Sequence, residues 1–119
     1  MRSAAEVFED HLALRAAKDL ERDIARNYST DVTLLTLDGV FQGHDGVRQC
    51  AAILKRHVGD AEYTYVVRRV DGEVAFLHWT ARSPKGEVQH GVDTFVIRSG
   101  KIVAMTIYFH VERSGPHSG

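Results

Sequence analysis

The sequence predicts an α+β domain in which a cone-like, curved antiparallel sheet wraps around three helices drawn from the N-terminal half. Two patterns and a length carry this reading. Before Gly59, apolar residues recur mainly at spacings of three and four, which is one face of a helix. After Gly59, strand-like runs are separated by Asp71-Gly72, Ser83-Pro84-Lys85-Gly86 and Arg98-Ser99-Gly100, residues that make tight turns. A chain of 119 residues is the common size for a single core. Residues 1–112 are therefore read as one domain, and 113–119 as a flexible tail.

In order along the chain, Val7, Phe8, His11, Leu12 and Leu14 place one helical face between Ser3 and about Ala17. Asp19 is a candidate N-cap for a second helix, with Glu21 and Asp23 in its first turn. Arg22 stands where a glutamate would complete a capping box, and the first helix running straight through is the alternative. The second helix would bury Leu20, Ile24 and Tyr28. Val32–Leu37 and Val40–Gln42 read as a hairpin about Asp38-Gly39. Val47–Val58 reads as a third helix with Val47, Cys50, Ala51, Leu54 and Val58 on its inner stripe, stopped by Gly59. Strands follow at Glu62–Val70, Val74–Arg82, Glu87–Ile97 and Ile102–Glu112, forming a meander.

Composition excludes several function classes. The net charge is −1, so no electrostatic footprint for nucleic acid or an anionic membrane is expected. No apolar run is long enough for a spanning helix. A single cysteine, Cys50, allows no internal disulfide and suits a reducing, cytoplasmic setting. It lies in an apolar helical stretch, where a buried inert thiol is expected.

Strand parity turns the outline into a site. If Arg82 pairs with Glu87, then His78 pairs with Gly91 and Phe76 with Asp93, so Phe76, His78, Thr80 and Arg82 share the inner face with Gly91, Asp93, Phe95 and Ile97. A three-residue last turn with a bulge and left-handed Gly100 would add Val103, Met105, Ile107 and Phe109, while a two-residue turn would add Ala104, Thr106, Tyr108 and His110. The bulge is preferred because it makes this lining continuously apolar. The opposite face then carries Leu77, Trp79, Val88, His90, Val92, Thr94, Val96, Ile102, Tyr108 and His110, too apolar to face water, which predicts a homodimer through the sheet backs. Parity places His78 opposite His90, and no His-x-His or His-x-x-x-His spacing occurs, so no metal site is expected.

The stretch His90-Gly-Val-Asp-Thr-Phe-Val-Ile-Arg-Ser-Gly-Lys-Ile-Val-Ala-Met105 resembles the final hairpin of SnoaL-like proteins. These belong to the superfamily of nuclear transport factor 2 and ketosteroid isomerase. Asn27–Leu34 and Asp38–Gly43 resemble the same family's second-helix exit and first hairpin. The resemblance implies a cystatin-like α+β barrel and a small-molecule pocket, on a fold that hosts isomerases, cyclases, epoxide hydrolases, dehydratases and non-enzymatic binders. It places Asp93 where the isomerase keeps an acid that donates a hydrogen bond to substrate oxygen, and His11 near that enzyme's pocket tyrosine. The isomerase's general-base aspartate falls near Thr36, leaving that role without an occupant. Of the two acids and one arginine of the epoxide-hydrolase pattern, Arg82 and Asp93 supply two.

Asp93, among Val92, Phe95 and Ile97, is the leading candidate, because desolvation raises a carboxyl pKa into the range of acid–base work. His78, placed diagonally to it, would set its charge, and His11 would add a pocket donor. Tyr28, Phe41, Arg82, Met105 and Phe109 would line the ligand site. The expected function is a small-molecule enzyme or binder with an apolar pocket. Without metal or cofactor, it would run acid–base chemistry of cyclase, isomerase or dehydratase type on a hydrophobic, carbonyl-bearing molecule. The alternatives are a non-catalytic binding or dimerisation module, and a partner-binding adaptor like nuclear transport factor 2.

Overall fold

The computed structural model describes residues 1–113, so all of the expected tail but Arg113 lies outside the described residues. The elements are α1 (Ala4–Ala16), α2 (Leu20–Asn27), β1 (Tyr28–Thr36), β2 (Gly39–Gln42), α3 (Gly43–Val58), β3 (Glu62–Asp71), β4 (Val74–Ser83), β5 (Gly86–Arg98) and β6 (Lys101–Tyr108). Their order is the one the periodicity predicts. α1 begins at a full capping box, in which Ser3 accepts from the Glu6 amide and Glu6 accepts from the Ser3 amide, a Ser-x-x-Glu signal that satisfies two end donors at once. Asp19 caps α2 through the Arg22 amide. Gly59, at φ 62°, closes α3 in a conformation that disfavours any side chain.

The six strands form one curved, unclosed sheet in the order β2-β1-β6-β5-β4-β3. Every neighbouring pair is antiparallel except β1 and β6, which run parallel. The expected all-antiparallel sheet is therefore mixed. β1 reaches β6 through the whole intervening chain, so no hairpin dictates their relative direction. Val7, Phe8 and Leu12 of α1, Ile24 of α2 and Val47 of α3 pack onto Leu34, Leu77, Phe95, Ile97, Ile102 and Met105 of the sheet. Phe8 meets Phe95 edge to face at 5.3 Å. Among the described residues, no helix is long and apolar enough to cross a membrane.

Two registers differ from expectation. Between β4 and β5 the pairing starts as predicted, Arg82 against Glu87, and then shifts between Trp79 and Ala81. Leu77 consequently pairs with Asp93 and Trp79 with Gly91. The inner set of β4 is Ala75, Leu77, Trp79 and Ala81, all buried, and Phe76, His78, Thr80 and Arg82 turn to the other face. The cause is steric: a Cβ on Gly91 would stand 2.2 Å from Cε2 of Trp79, so the indole occupies the space that a side chain at 91 would need.

The last hairpin closes on a two-residue turn, Ser99-Gly100, with Arg98 paired to Lys101 and both turn residues at positive φ (54° and 76°). This corrects the expected three-residue turn. A bulge does occur, further along: Ile97 pairs with Ile102 but Val96 with Ala104, leaving Val103 as the extra residue. Ile102 rather than Val103 is therefore buried, while Met105 and Ile107 reach the inner side as the apolar lining required.

Gly91→Ala should accordingly destabilise the domain by about 1–3 kcal/mol, the usual cost of overpacking a filled core. Urea unfolding followed by Trp79 fluorescence measures this, with a shift of the indole emission reporting that the ring has been displaced.

Candidate active site

Between α1, α3 and the concave side of the sheet lies a cavity of about 120 Å³. Leu34, Val47, Leu54, Leu77, Met105 and Ile107 supply its apolar walls, and His11, Arg15, Tyr28, Tyr63, Tyr65, Trp79 and Asp93 its polar atoms. Thr36 and Asp38, from the end of β1 and the turn after it, also line it.

Asp93 sits mid-strand on β5, flanked by Leu77 of β4 and Ile107 of β6. Trp79 donates its indole N–H to Asp93 Oδ1 at 3.1 Å. Burial pushes the Asp93 carboxyl up to about 6, against smaller lowering effects from the Trp79 hydrogen bond and from neighbouring His11 and Arg15. Desolvation dominates because, among the described residues, only the Trp79 N–H bonds to the carboxyl in place of the water it has lost.

His11 projects from the buried stripe of α1 and is 4% exposed. Its Nδ1 lies 2.8 Å from Oδ2 of Asp23, which is fully buried on α2. A carboxylate only accepts, so Nδ1 carries the proton and Nε2 is the free position. Among the described residues no other group bonds to this ring, and no buried side-chain N or O lacks a partner. Nε2 therefore opens on the cavity. Behind the pair, Asn27 donates to Asp23 Oδ1 and to Asp10 Oδ2, each at 2.9 Å, and accepts from Arg2 at 2.8 Å. This chain fixes α2 against α1 and holds the imidazole plane, in the way a buried acid orients a catalytic histidine.

The structure brings together Asp93, His11, Tyr28, Met105 and Phe109 of the expected residues. Tyr28 donates its hydroxyl to Met105 Sδ at 3.6 Å, and burial drives its pKa up. Phe109 packs against Trp79, with ring centres 5.9 Å apart.

Three expected residues stand elsewhere. His78 lies on the convex face, its Nε2 3.1 Å from Nδ1 of His90, so it cannot set the charge of Asp93, and the two histidines share a face rather than opposing each other. Arg82 is exposed and paired with Glu87, which leaves the two-acid, one-arginine pattern unassembled. Phe41, half-buried on β2, packs at Gly46 of α3 and does not line the cavity. The first two move because of the single-residue shift beside Gly91.

Several cavity residues escaped the sequence reading, Arg15, Asp38, Tyr63, Tyr65 and Trp79 among them, as did Asp23, which stands behind His11. For Asp23 a signal existed. Asp23 and Asn27 are spaced i, i+4 on the stripe that carries Leu20 and Ile24, and polar groups on an inner stripe must bond each other or a neighbouring helix. Cys50 lines the cavity as a thiol pushed up to about 11 by burial, which keeps it unreactive. Among the described residues no three metal-ligating side chains cluster.

A model of the SnoaL-like domain matches residues 8–105. No curated protein sequence matches the chain. Among solved structures, an NTF2-like protein of unknown function from Burkholderia xenovorans LB400 is similar at a TM-score of 0.73 and 18% identity, over 96% of this chain and 88% of that one. A protein from Mesorhizobium loti, provisionally described as a SnoaL-like polyketide cyclase, gives 0.69 and 16% over 90% and 99%. TerC, co-crystallized with polyporic acid, gives 0.71 and 19% over 90% and 91%. At these identities the likeness is one of fold.

Because its folded pKa is raised, Asp93 contributes full stability below its unfolded value and loses it as pH rises through about 6. Asn keeps an acceptor for Trp79 and carries no charge. Asp93→Asn should therefore match the wild type near pH 4 and exceed it by roughly 1–3 kcal/mol at pH 7.5. Thermal melts across that range give the difference, and an equal loss at every pH would mean that the carboxylate is structural.

Proposed function

The chain belongs to the SnoaL-like domain family, and on that premise we propose that it is a cofactor-independent acid–base catalyst acting on a small, largely apolar, carbonyl-bearing molecule. The reaction would be of cyclase, isomerase or dehydratase type. The observation that carries this reading is Asp93: a carboxyl held by Trp79 in an apolar cavity, with its pKa lifted to about 6. At neutral pH such a group is mostly carboxylate, with roughly one molecule in ten protonated, so it can take or give a proton within one turnover.

His11 supplies the complementary partner. With Nδ1 held by Asp23, its Nε2 can accept a proton from carbon next to the substrate carbonyl while protonated Asp93 donates to the carbonyl oxygen, giving an enol. Asp23 then stabilises the imidazolium. Returning the proton to a different carbon isomerises the substrate, attack of the enol carbon on an internal electrophile cyclises it, and loss of a β-hydroxyl as water, protonated by the imidazolium, dehydrates it. As the carbonyl re-forms in each case, the enol proton goes back to Asp93. Asp38, exposed beside Thr36, is an acid close to the position left without an occupant by the isomerase pattern.

The convex face supports a homodimer. Val74, Phe76 and Tyr108 are 56%, 36% and 49% exposed there, with Val92 and Val96 between them on β5, and the helices cover only the concave side. Such a stripe suits burial against a second copy. The single thiol suits a reducing cytoplasm.

Thermal-shift screening against steroids, aromatic polyketides and terpene epoxides should return a hit that is turned over. Asp93→Asn and His11→Gln should each slow it by about a hundredfold or more. Binding without turnover would favour the binding-module reading. For the dimer, Phe76→Glu should convert a sedimenting dimer to monomer while leaving the circular dichroism unchanged, whereas a monomeric wild type would overturn it.

A further inference from the structure

We infer that the ligand of this cavity is amphipathic and anionic: an apolar ring lies inside, and a carboxylate is held at the mouth by Arg15. This rests on the proposed pocket and adds the substrate class. Arg15, in the last turn of α1, lines both the cavity and a shallow groove that continues from it along Ala51, Leu54, Tyr63 and Tyr65. Its guanidinium makes no hydrogen bond or ion pair among the described residues. Arg48, Arg68, Arg82 and Arg98, by contrast, all close onto carboxylates.

A half-buried guanidinium with open donors is matched in charge and shape by a carboxylate. Position near a helix C-terminus explains a cation in this turn but not its placement on a cavity wall. The groove adds Lys18 and Lys55 against Asp60 and Glu62, and Asp60 is engaged by Lys55 at 3.8 Å. Together with Arg15 this leaves three cations to two acids. Arg15 also acts inward, its charge opposing the upward shifts of Tyr63 and Tyr65 and lowering Asp93.

Size sets the orientation. A cavity of about 120 Å³ is slightly smaller than one that holds benzene, about 150 Å³. Its inner end therefore takes no more than a single small ring, and any polar extension must lie along the groove. The opposite orientation would push a carboxylate against Asp93 and leave the ring in water.

The test is isothermal calorimetry of 3-phenylpropanoate and its neutral isostere 3-phenylpropanamide at pH 7.5 and low salt. The proteins are the wild type, Arg15→Gln and Arg15→Lys, with melting temperatures confirming that the variants fold. The wild type should bind the acid at least tenfold tighter than the amide. Arg15→Gln should bring that ratio to about one, and Arg15→Lys should restore most of it. Equal binding of acid and amide by the wild type, or a preference that survives in Arg15→Gln, overturns the anion inference and leaves the pocket standing. Failure of both probes to bind at about 10 mM overturns the pocket reading together with it.

Discussion

Trp79 lies against β5 because residue 91 has no side chain, and much of the site follows from that contact. The indole replaces the missing group and turns β4 by one residue relative to a plain ladder. It carries Leu77 inward with it and directs an N–H at Asp93. A charged carboxylate in mid-sheet is expensive unless a donor reaches it, and here the donor belongs to the same large ring that excludes water. Packing and electrostatics at this point are therefore one feature, and neither could be altered alone.

The helical side depends on a second polar contact of the same kind. α2 has eight residues, too few to hold helical structure by themselves in water. Its position comes from Ile24 in the core and from Asp23, Asn27 and Arg26, which bond His11 and Asp10 of α1. The bonds that dock this short helix also select the tautomer of His11. The polar residues of the cavity thus arise where two elements need each other for their own placement.

The element order, the helix stripes and the identity of Asp93 and His11 were legible because each is a local pattern: a period, a cap, or a charge in an apolar run. Face assignment was less legible. A shift of one residue inverts a strand, and it cost the reading His78, Arg82 and Trp79 together. The last hairpin shows the converse. Its turn was misread, yet Met105 and Ile107 were placed correctly, because an apolar lining constrains the face more strongly than turn length does. Arg15 left no trace in the sequence, since a lone cation in a last helical turn looks like ordinary dipole compensation.

The parallel pairing of β1 with β6 bears on how the molecule comes into being. Leu34 and Thr36 meet Met105 and Ile107 across some seventy intervening residues, a closure whose entropy must be met before these contacts reward it. The hairpins β3–β4 and β4–β5 can form as the chain emerges from the ribosome. The wall that joins the two ends of the sheet cannot, so the cavity should be the last part of the domain to acquire its shape. Until then Leu34 and Met105 are apolar surface, and the nascent chain is most exposed to misassociation at the very residues that will later enclose its ligand.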